Sequence, residues 1–365
     1  MIYLDYQATT PLCPEAREAM IRWLGGPDSD TFGNPHSPHR MGRMAAAAIE
    51  AVREKVAALF PPGGTVIFTS GATEAINLAI KGTARGDGTN AIAVSAIEHA
   101  AVLDCGHAMR DTTEMLVLPV DAEGVVAADT PIPEGTQLTA VMQVNNEIGT
   151  IQPVEQLAEA AHAAGGYFLC DAVQGAGKLA PPRNADLIAV SAHKLYGPKG
   201  IGALWVRDGV ELQPQMHGGG QEQGLRSGTL SPALIAGFGA AAQVARARME
   251  EDTAHVEGLW HRARELFAGW TLNGSTEHRW HGNLNFRKDG LDVARLMSDC
   301  RRIMFSAGSA CASGSGRPSH VLRALGLSDA EAKSSIRLGF GRYTSAEDIE
   351  TAAAMIKTCA REQGL

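Results

Sequence analysis

The stretch TVIFTSGATEAINLAIKG, residues 65–82, changes rhythm at its middle. Its first six residues form a short run of strand-forming type, its second half spaces apolar residues for a helix, and Gly71 stands between. A strand that ends in a turn and opens a helix is half of a parallel α/β unit. Further runs repeat the theme: AIAVS (91–95), EMLVLPV (114–120), TAVMQV (139–144), YFLCD (167–171), DLIAVS (186–191) and GALWV (202–206), mostly separated by helical stretches such as PVEQLAEAAHAA. Seven strands alternating with helices predict an α/β fold whose sheet is largely parallel and covered on both faces.

Outside this core the pattern shifts. Met41, Met44, Ala48, Ile49, Val52, Val56 and Leu59 recur at three and four, which predicts an amphipathic helix between Arg40 and Phe60. After Ser231 a long Ala- and Arg-rich helical stretch runs to about Phe267. Strand and helix then alternate on a smaller scale through LNF, LDVARLM, IMF, SHVLRAL, SIRLGFG and DIETAAAMIKTCA, so the main boundary falls near residue 245. No internal repeat is visible.

The bulk numbers narrow the function classes. With 365 residues, 45% hydrophobic and 20% charged, the chain can bury a large core. Its net charge of -8 argues against a nucleic-acid surface, which needs a basic footprint. Cys13, Cys105, Cys170, Cys300, Cys311 and Cys359 form no C-x-x-C pair and no spacing of a disulfide framework or zinc site, so no metal is expected and a reducing cytoplasm is the natural setting. MIYLDYQATTP lacks the apolar centre of a signal peptide, and no apolar run approaches a membrane span, so no membrane partner is expected.

Parallel α/β sheets gather ligand groups at the carboxyl ends of their strands. Of the eight lysines only Lys194, in DLIAVSAHKLYGPKG, closes a buried-looking strand. A partly desolvated amine there suits a Schiff base, although a lysine at a strand end also snorkels to water. Asp171 ends YFLCD, where an acid serves as a cap or as the partner of a pyridinium nitrogen. Gly71, Ala72 and Thr73 make a strand-to-helix turn whose N–H groups suit a phosphate or form an ordinary helix start. Separately, FSAGSACASGSG (305–316) surrounds Cys311 with small residues that offer no close apolar neighbours to bury the thiol.

Taken together, DYQATTP (5–11), FGNPHSPH (32–39), SGATEAINLA (70–79), IEHAAVLD (97–104), VNNEIGTIQP (144–153), DAVQGAGK (171–178), SAHKLYGPKG (191–200), HGGGQEQGLRSGT (217–229), SAGSACASG (306–314) and SIRLGFGRYT (335–344) resemble the cysteine desulfurases of the NifS/IscS type. These are fold-type I pyridoxal-phosphate enzymes of the class V aminotransferase group. The match spans nearly the whole chain. S-x-x-S-A-C with R-S-G-T is the desulfurase-specific part; the lysine motif and GATEA are shared by related enzymes.

The resemblance implies a large cofactor-binding domain over 16–245, and a small α+β domain from 1–15 and 246–365 that carries the Cys311 loop and Arg337. It implies that pyridoxal 5'-phosphate is held by Lys194 as a Schiff base, by Asp171 at the ring nitrogen, by Gln174 at the ring oxygen, by His99 stacked on the ring and by Asn146. Its phosphate would rest on Ala72, Thr73, Ser191 and His193, and on Thr229 reaching across from the second subunit of a homodimer. Arg337, helped by Asn34 and Asn146, would clamp the carboxylate of L-cysteine, because a planar fork grips a carboxylate bidentately. Lys194, His99 and Cys311 would be catalytic: the products are L-alanine and a Cys311 persulfide, passed to a sulfur-acceptor or iron–sulfur scaffold protein. His36 and Pro38 depart from the usual pattern, and Tyr6 with Gln7 matches only in part. The same scaffold also supports aminotransferases and selenocysteine lyases, which would keep Lys194 and Asp171, so Cys311 discriminates. A non-catalytic sulfur-relay scaffold would not need the intact set of Lys194, Asp171, His99 and Arg337.

Overall fold

A computed structural model of the chain describes residues 1–84, 90–308 and 318–365. The chain opens with a two-residue strand, β1 (Ile2–Tyr3), and two helices, α1 (Pro14–Ile21) and α2 (Arg40–Ala57). Seven strands follow: β2 (Gly64–Thr69), β3 (Asn90–Ser95), β4 (Thr113–Leu118), β5 (Leu138–Met142), β6 (Tyr167–Asp171), β7 (Leu187–Ser191) and β8 (Gly202–Arg207). Helices α3 (Ala72–Gly82), α4 (Ala100–Ala108) and α5 (Val154–Ala163) lie between them. These seven make one sheet of order β2-β8-β7-β6-β5-β3-β4, parallel throughout except that β8 runs against both neighbours.

The sheet is buried on both faces, and the side-chain period of two divides it between two cores. Phe68, Phe168 and Trp205 face one core with Ile49, Val56, Leu157 and Phe238 of the surrounding helices. Ile67, Leu169 and Leu204 face the other, with Ile76, Ile80 and Val102. The central strands β5, β6 and β7 are therefore apolar along almost their whole length, and every residue of β5 and β7 is buried. At the edge, β4 leaves Val117 54% exposed.

Beyond the sheet, α6 (Pro232–Ala247) and α7 (Met249–Leu266) replace the single long helix that composition suggested. The break falls at Arg248, and the acids Glu250, Glu251 and Asp252 explain it. Negative charge is favoured in a first turn, and Arg248 contacts Glu251 at 2.8 Å and Asp252 at 3.3 Å. The rest of the chain forms β9 (Thr271–Leu272), β10 (Asn283–Arg287), α8 (Val293–Asp299), β11 (Ile303–Met304), β12 (Ser306–Ala307), α9 (His320–Ala324), α10 (Asp329–Lys333), β13 (Ser335–Gly339) and α11 (Ala346–Arg361). An antiparallel sheet of order β12-β13-β10-β9 packs on a third core of Phe267, Phe286, Leu296, Leu338 and Ile356.

The start of the chain returns to this last unit. β1 pairs in parallel with β11, Ile2 opposite Ile303, and Leu4 is fully buried in the third core. Asp5 bridges to Gly339 at the end of β13. Among the described residues Cys13, Cys105, Cys170, Cys300 and Cys359 are thiols, and no helix is long and apolar enough to cross a membrane.

Candidate active site

A cavity of about 480 Å³ opens at the carboxyl ends of β5, β6 and β7 and the start of α3. Its lining brings together Ala72, Thr73, His99, Asn146, Asp171, Gln174, Ser191, His193, Lys194 and Arg337. Residues more than 260 positions apart in the chain thus share one chamber: parallel connections bring several strand ends of the large sheet to one edge, and Arg337 joins them from β13 of the antiparallel sheet.

Each side chain is set by its local backbone. β7 ends at Ser191, and a single 3₁₀ turn, Ala192–Lys194, aims the lysine away from the sheet. Lys194 Nζ donates to the carbonyl of Ala8 at 2.8 Å and to that of Gln7. His193 Nδ1 meets Thr9 Oγ1 at 3.1 Å. Burial, helped by the cations Lys194, Lys199 and Lys178, lowers the imidazole's pKa to about 4, so this ring is neutral at ordinary pH. Asp171 closes β6, and its Oδ1 accepts from the N–H of Val173 at 2.9 Å. Burial pushes its carboxyl above the ordinary value, while His99, that N–H and Lys194 pull the other way.

His99 stands at the N-cap of α4, where its Nδ1 accepts from the N–H of Ala101 at 3.1 Å. The bond fixes the ring's tilt and assigns the proton of a neutral ring to Nε2. The Asn pair divides its labour. Asn145 builds the turn, its Oδ1 accepting from Glu147 and Ile148 and its Nδ2 donating to Ile97 O, whereas Asn146 lines the cavity. Gln174 Nε2 donates to Gln7 O at 3.0 Å. Arg337, on β13, has no exposed side-chain surface; its Nη2 contacts Asp5 at 2.7 Å and its Nη1 donates to Asn146 O at 2.9 Å.

Two expected residues lie elsewhere. Asn34 is exposed, its Oδ1 accepting from the N–H of His36, and Thr229 is exposed at the end of the RSGT loop; neither is among the lining residues. Cys311 lies outside the described residues. Its flanks are nonetheless tied to one network. Asn285 Nδ2 donates to Gly308 O at 3.3 Å and to Glu147 O at 2.9 Å, and Ser319 Oγ donates to Glu147 Oε2 at 2.5 Å.

Several participants were missed in the sequence. Asp5, Glu98 and Glu147 each sit inside or beside a quoted motif, yet only their burial or partners give them meaning. Glu98 is fully buried with a pKa near 8, raised by desolvation against bonds from Ser95 and the Met142 N–H and further raised by Asp171. Glu147 is raised to about 7, again by burial, against the pull of Ser319, Arg337 and His99. Among the described residues no three His, Cys, Asp or Glu side chains are grouped to hold a metal ion.

The walls fit a phosphate-bearing ring. The N-cap of α3 is Gly71, which gives its first turn no side-chain bond, and the first residues of that turn, Ala72 and Thr73, line the cavity. An amine, a buried acid and an imidazole stand around the same space. This is the lining of a pyridoxal-phosphate enzyme. The chain belongs to the class-V aminotransferase family, whose sequence pattern matches residues 2–351. It is 42% identical to the cysteine desulfurase IscS of Rickettsia akari (strain Hartford) and 41% to that of Rickettsia felis, each alignment covering 97% of this chain and 90% of the relative. Among solved structures it resembles a NifS-like protein, with TM-score 0.90, 31% identity and 98% of both chains covered. It also resembles SspA in complex with cysteine, with TM-score 0.81, 35% identity and coverage of 94% and 100%.

Proposed function

We propose that this chain is a cysteine desulfurase that uses pyridoxal 5'-phosphate to move the sulfur of L-cysteine onto Cys311 and release L-alanine. The observation that carries this is one cavity holding Lys194, Asp171 and His99 for the cofactor and Arg337 for a carboxylate. Bound there, pyridoxal phosphate supplies a carbonyl that condenses with amines and a ring that takes up electron density from the substrate's Cα.

The chain's own residues do the rest. The α3 turn, Ser191 and neutral His193 hold phosphate oxygens, and Gln174 and Asn146 hold the ring. The buried Asp171 carboxyl favours a protonated ring nitrogen, because the pair exchanges an isolated buried acid for a compensated one. Arg337 fixes the substrate carboxylate, helped by Asn146 and, in this reading, Asn34. Lys194 carries the proton taken from Cα, and His99 Nε2 presents a second proton. The Cys311 thiolate then forms a bond to the substrate sulfur as the Cβ–S bond breaks. Carbon gains the electron pair and a proton, so cysteine plus one thiol gives alanine plus one persulfide with no outside reductant.

The reading extends to assembly. A second copy brings Thr229 to the phosphate, which its exposure in this chain supports, as do the exposed Ile21, Leu24 and Phe32. Residues 16–245 form the cofactor-binding domain, and 1–15 with 246–365 the small domain. The enzyme works in the cytoplasm and hands its sulfur to an acceptor or scaffold protein for iron–sulfur clusters or another thio-cofactor. An aminotransferase would share Lys194 and Asp171 but has no use for Cys311. Incubation with L-cysteine is expected to release alanine and add 32 Da to the peptide of Cys311, a gain equal to one sulfur atom by the sulfur-transfer step above. Cys311→Ala is expected to stop alanine release, and full-rate release by that variant in the absence of thiol reductant rejects the mechanism.

A further inference from the structure

Arg337 is an unusual carboxylate ligand, because its guanidinium is already engaged. Asp5 Oδ1 accepts from Nη2 at 2.7 Å and from Ser306 Oγ at 2.9 Å, while Asn146 O accepts from Nη1 at 2.9 Å. The Nε–H is buried and has no partner among the described residues. A guanidinium has five N–H groups in one plane. Two are taken among the described residues, and these two anchors set the plane in which the others lie.

The anchoring acid belongs to a turn that reaches the cofactor lysine. Asp5 O accepts from the N–H groups of Ala8 and Thr9, at 2.9 and 3.3 Å, and the next carbonyls, of Gln7 and Ala8, are those that accept from Lys194. Gln7 is held in turn by its Nε2 bond to Gly282 O at 2.7 Å. The Asp5 side chain is 19% exposed and faces a cation with no exposure at all, so their charge-assisted bond is sheltered from water.

We infer that Asp5 is a positioning residue for substrate binding: it fixes the plane of the Arg337 guanidinium at the cavity wall that this residue lines. The inference rests on the reading of Arg337 as the carboxylate ligand. Asp5 also stands opposite the buried guanidinium when no substrate is present, which keeps the arginine side chain in place. In this role an acceptor oxygen at position 5 matters more than its charge.

The test uses the holoenzyme and 3-mercaptopropionate, which carries the carboxylate and thiol of cysteine but no amine. Its Kd is read by calorimetry beside KM and kcat for L-cysteine. Asp5→Ala is expected to weaken 3-mercaptopropionate and raise KM by about tenfold or more, the loss of one charge-assisted hydrogen bond, with kcat changed less than about twofold. Asp5→Asn keeps an acceptor oxygen and is expected to stay within about threefold of the parent. Should Asp5→Ala not fold, Asp5→Leu, which keeps the branched outline at a larger volume and removes the acceptor, takes its place. An unchanged Kd in Asp5→Ala or Asp5→Leu overturns the inference, as does a fall in kcat matching the rise in KM. Arg337→Lys separates the two levels. If it too leaves the Kd unchanged, the reading of Arg337 fails; if it weakens binding while Asp5→Ala does not, only the role of Asp5 fails.

Discussion

Two acids beside the cavity behave unlike surface acids. Glu98 takes the Ser95 hydroxyl and the Met142 N–H on Oε1 alone, at 2.5 and 2.8 Å, and its buried Oε2 has no hydrogen-bond partner among the described residues. Burial on this scale raises its pKa to about 8. Glu147 is raised from 4.5 to about 7. The folded form binds the proton more tightly than the unfolded chain, so this contribution to stability is fully present below about pH 4.5 and lost as pH rises through about 7. Glu147→Gln removes that titration. Urea unfolding at pH 5 and pH 8.5 is expected to show the parent losing more stability than the variant across the interval; an equal loss in both contradicts the assignment. At this scale Lys194 and Asp171 were legible in the sequence because each terminates an apolar run. Asp5 was not, since its partner is 332 positions away and an acid beside a motif looks like any other until its contact is known.

At the scale of elements, the strand-to-helix turn that opened the sequence reading proves to be set from below. A Cβ built on Gly202, the first residue of β8, stands 2.7 Å from Gly71 Cα and 2.6 Å from Val190 O. Both obstacles are backbone, so neither yields as a flexible side chain would. Gly202→Ala is expected to displace the start of α3, cost about 1–3 kcal/mol of stability and lower the cofactor retained on purification, read by absorbance against protein concentration. Retention and stability like those of the parent show that the turn tolerates the shift. The seven strands were visible as apolar runs, since burial on both faces writes itself into composition. The reversal of β8 was not, because an apolar run carries no direction. Nor was the helix break at Arg248, where EED reads equally as an exposed helix face.

For the whole molecule, the parallel connections gather the cofactor side of the cavity from residues 71–200, whereas the substrate side comes from β13 and from the start of the chain. The sequence showed the first part through strand ends. The second came only through the resemblance, which placed Arg337 and residues 1–15 in the small domain; β1 has only two residues and no periodicity to detect. Removing residues 1–8 takes away the partner of β11, the Asp5–Arg337 pair and both carbonyls on Lys194 together. The shortened chain is expected to lose bound cofactor and to unfold at lower urea, and full cofactor occupancy would show the segment to be dispensable.

The pairing of Ile2 with Ile303 also sets an order of events during synthesis. At about 5–20 residues per second, the 300 residues between them occupy a ribosome for about 15–60 s. Throughout that interval the seven-stranded sheet can form, but β1, just ahead of Asp5, waits without its neighbour. A nascent chain can therefore set Lys194 and the α3 turn in place before Asp5 meets Arg337, which is made later still than Ile303.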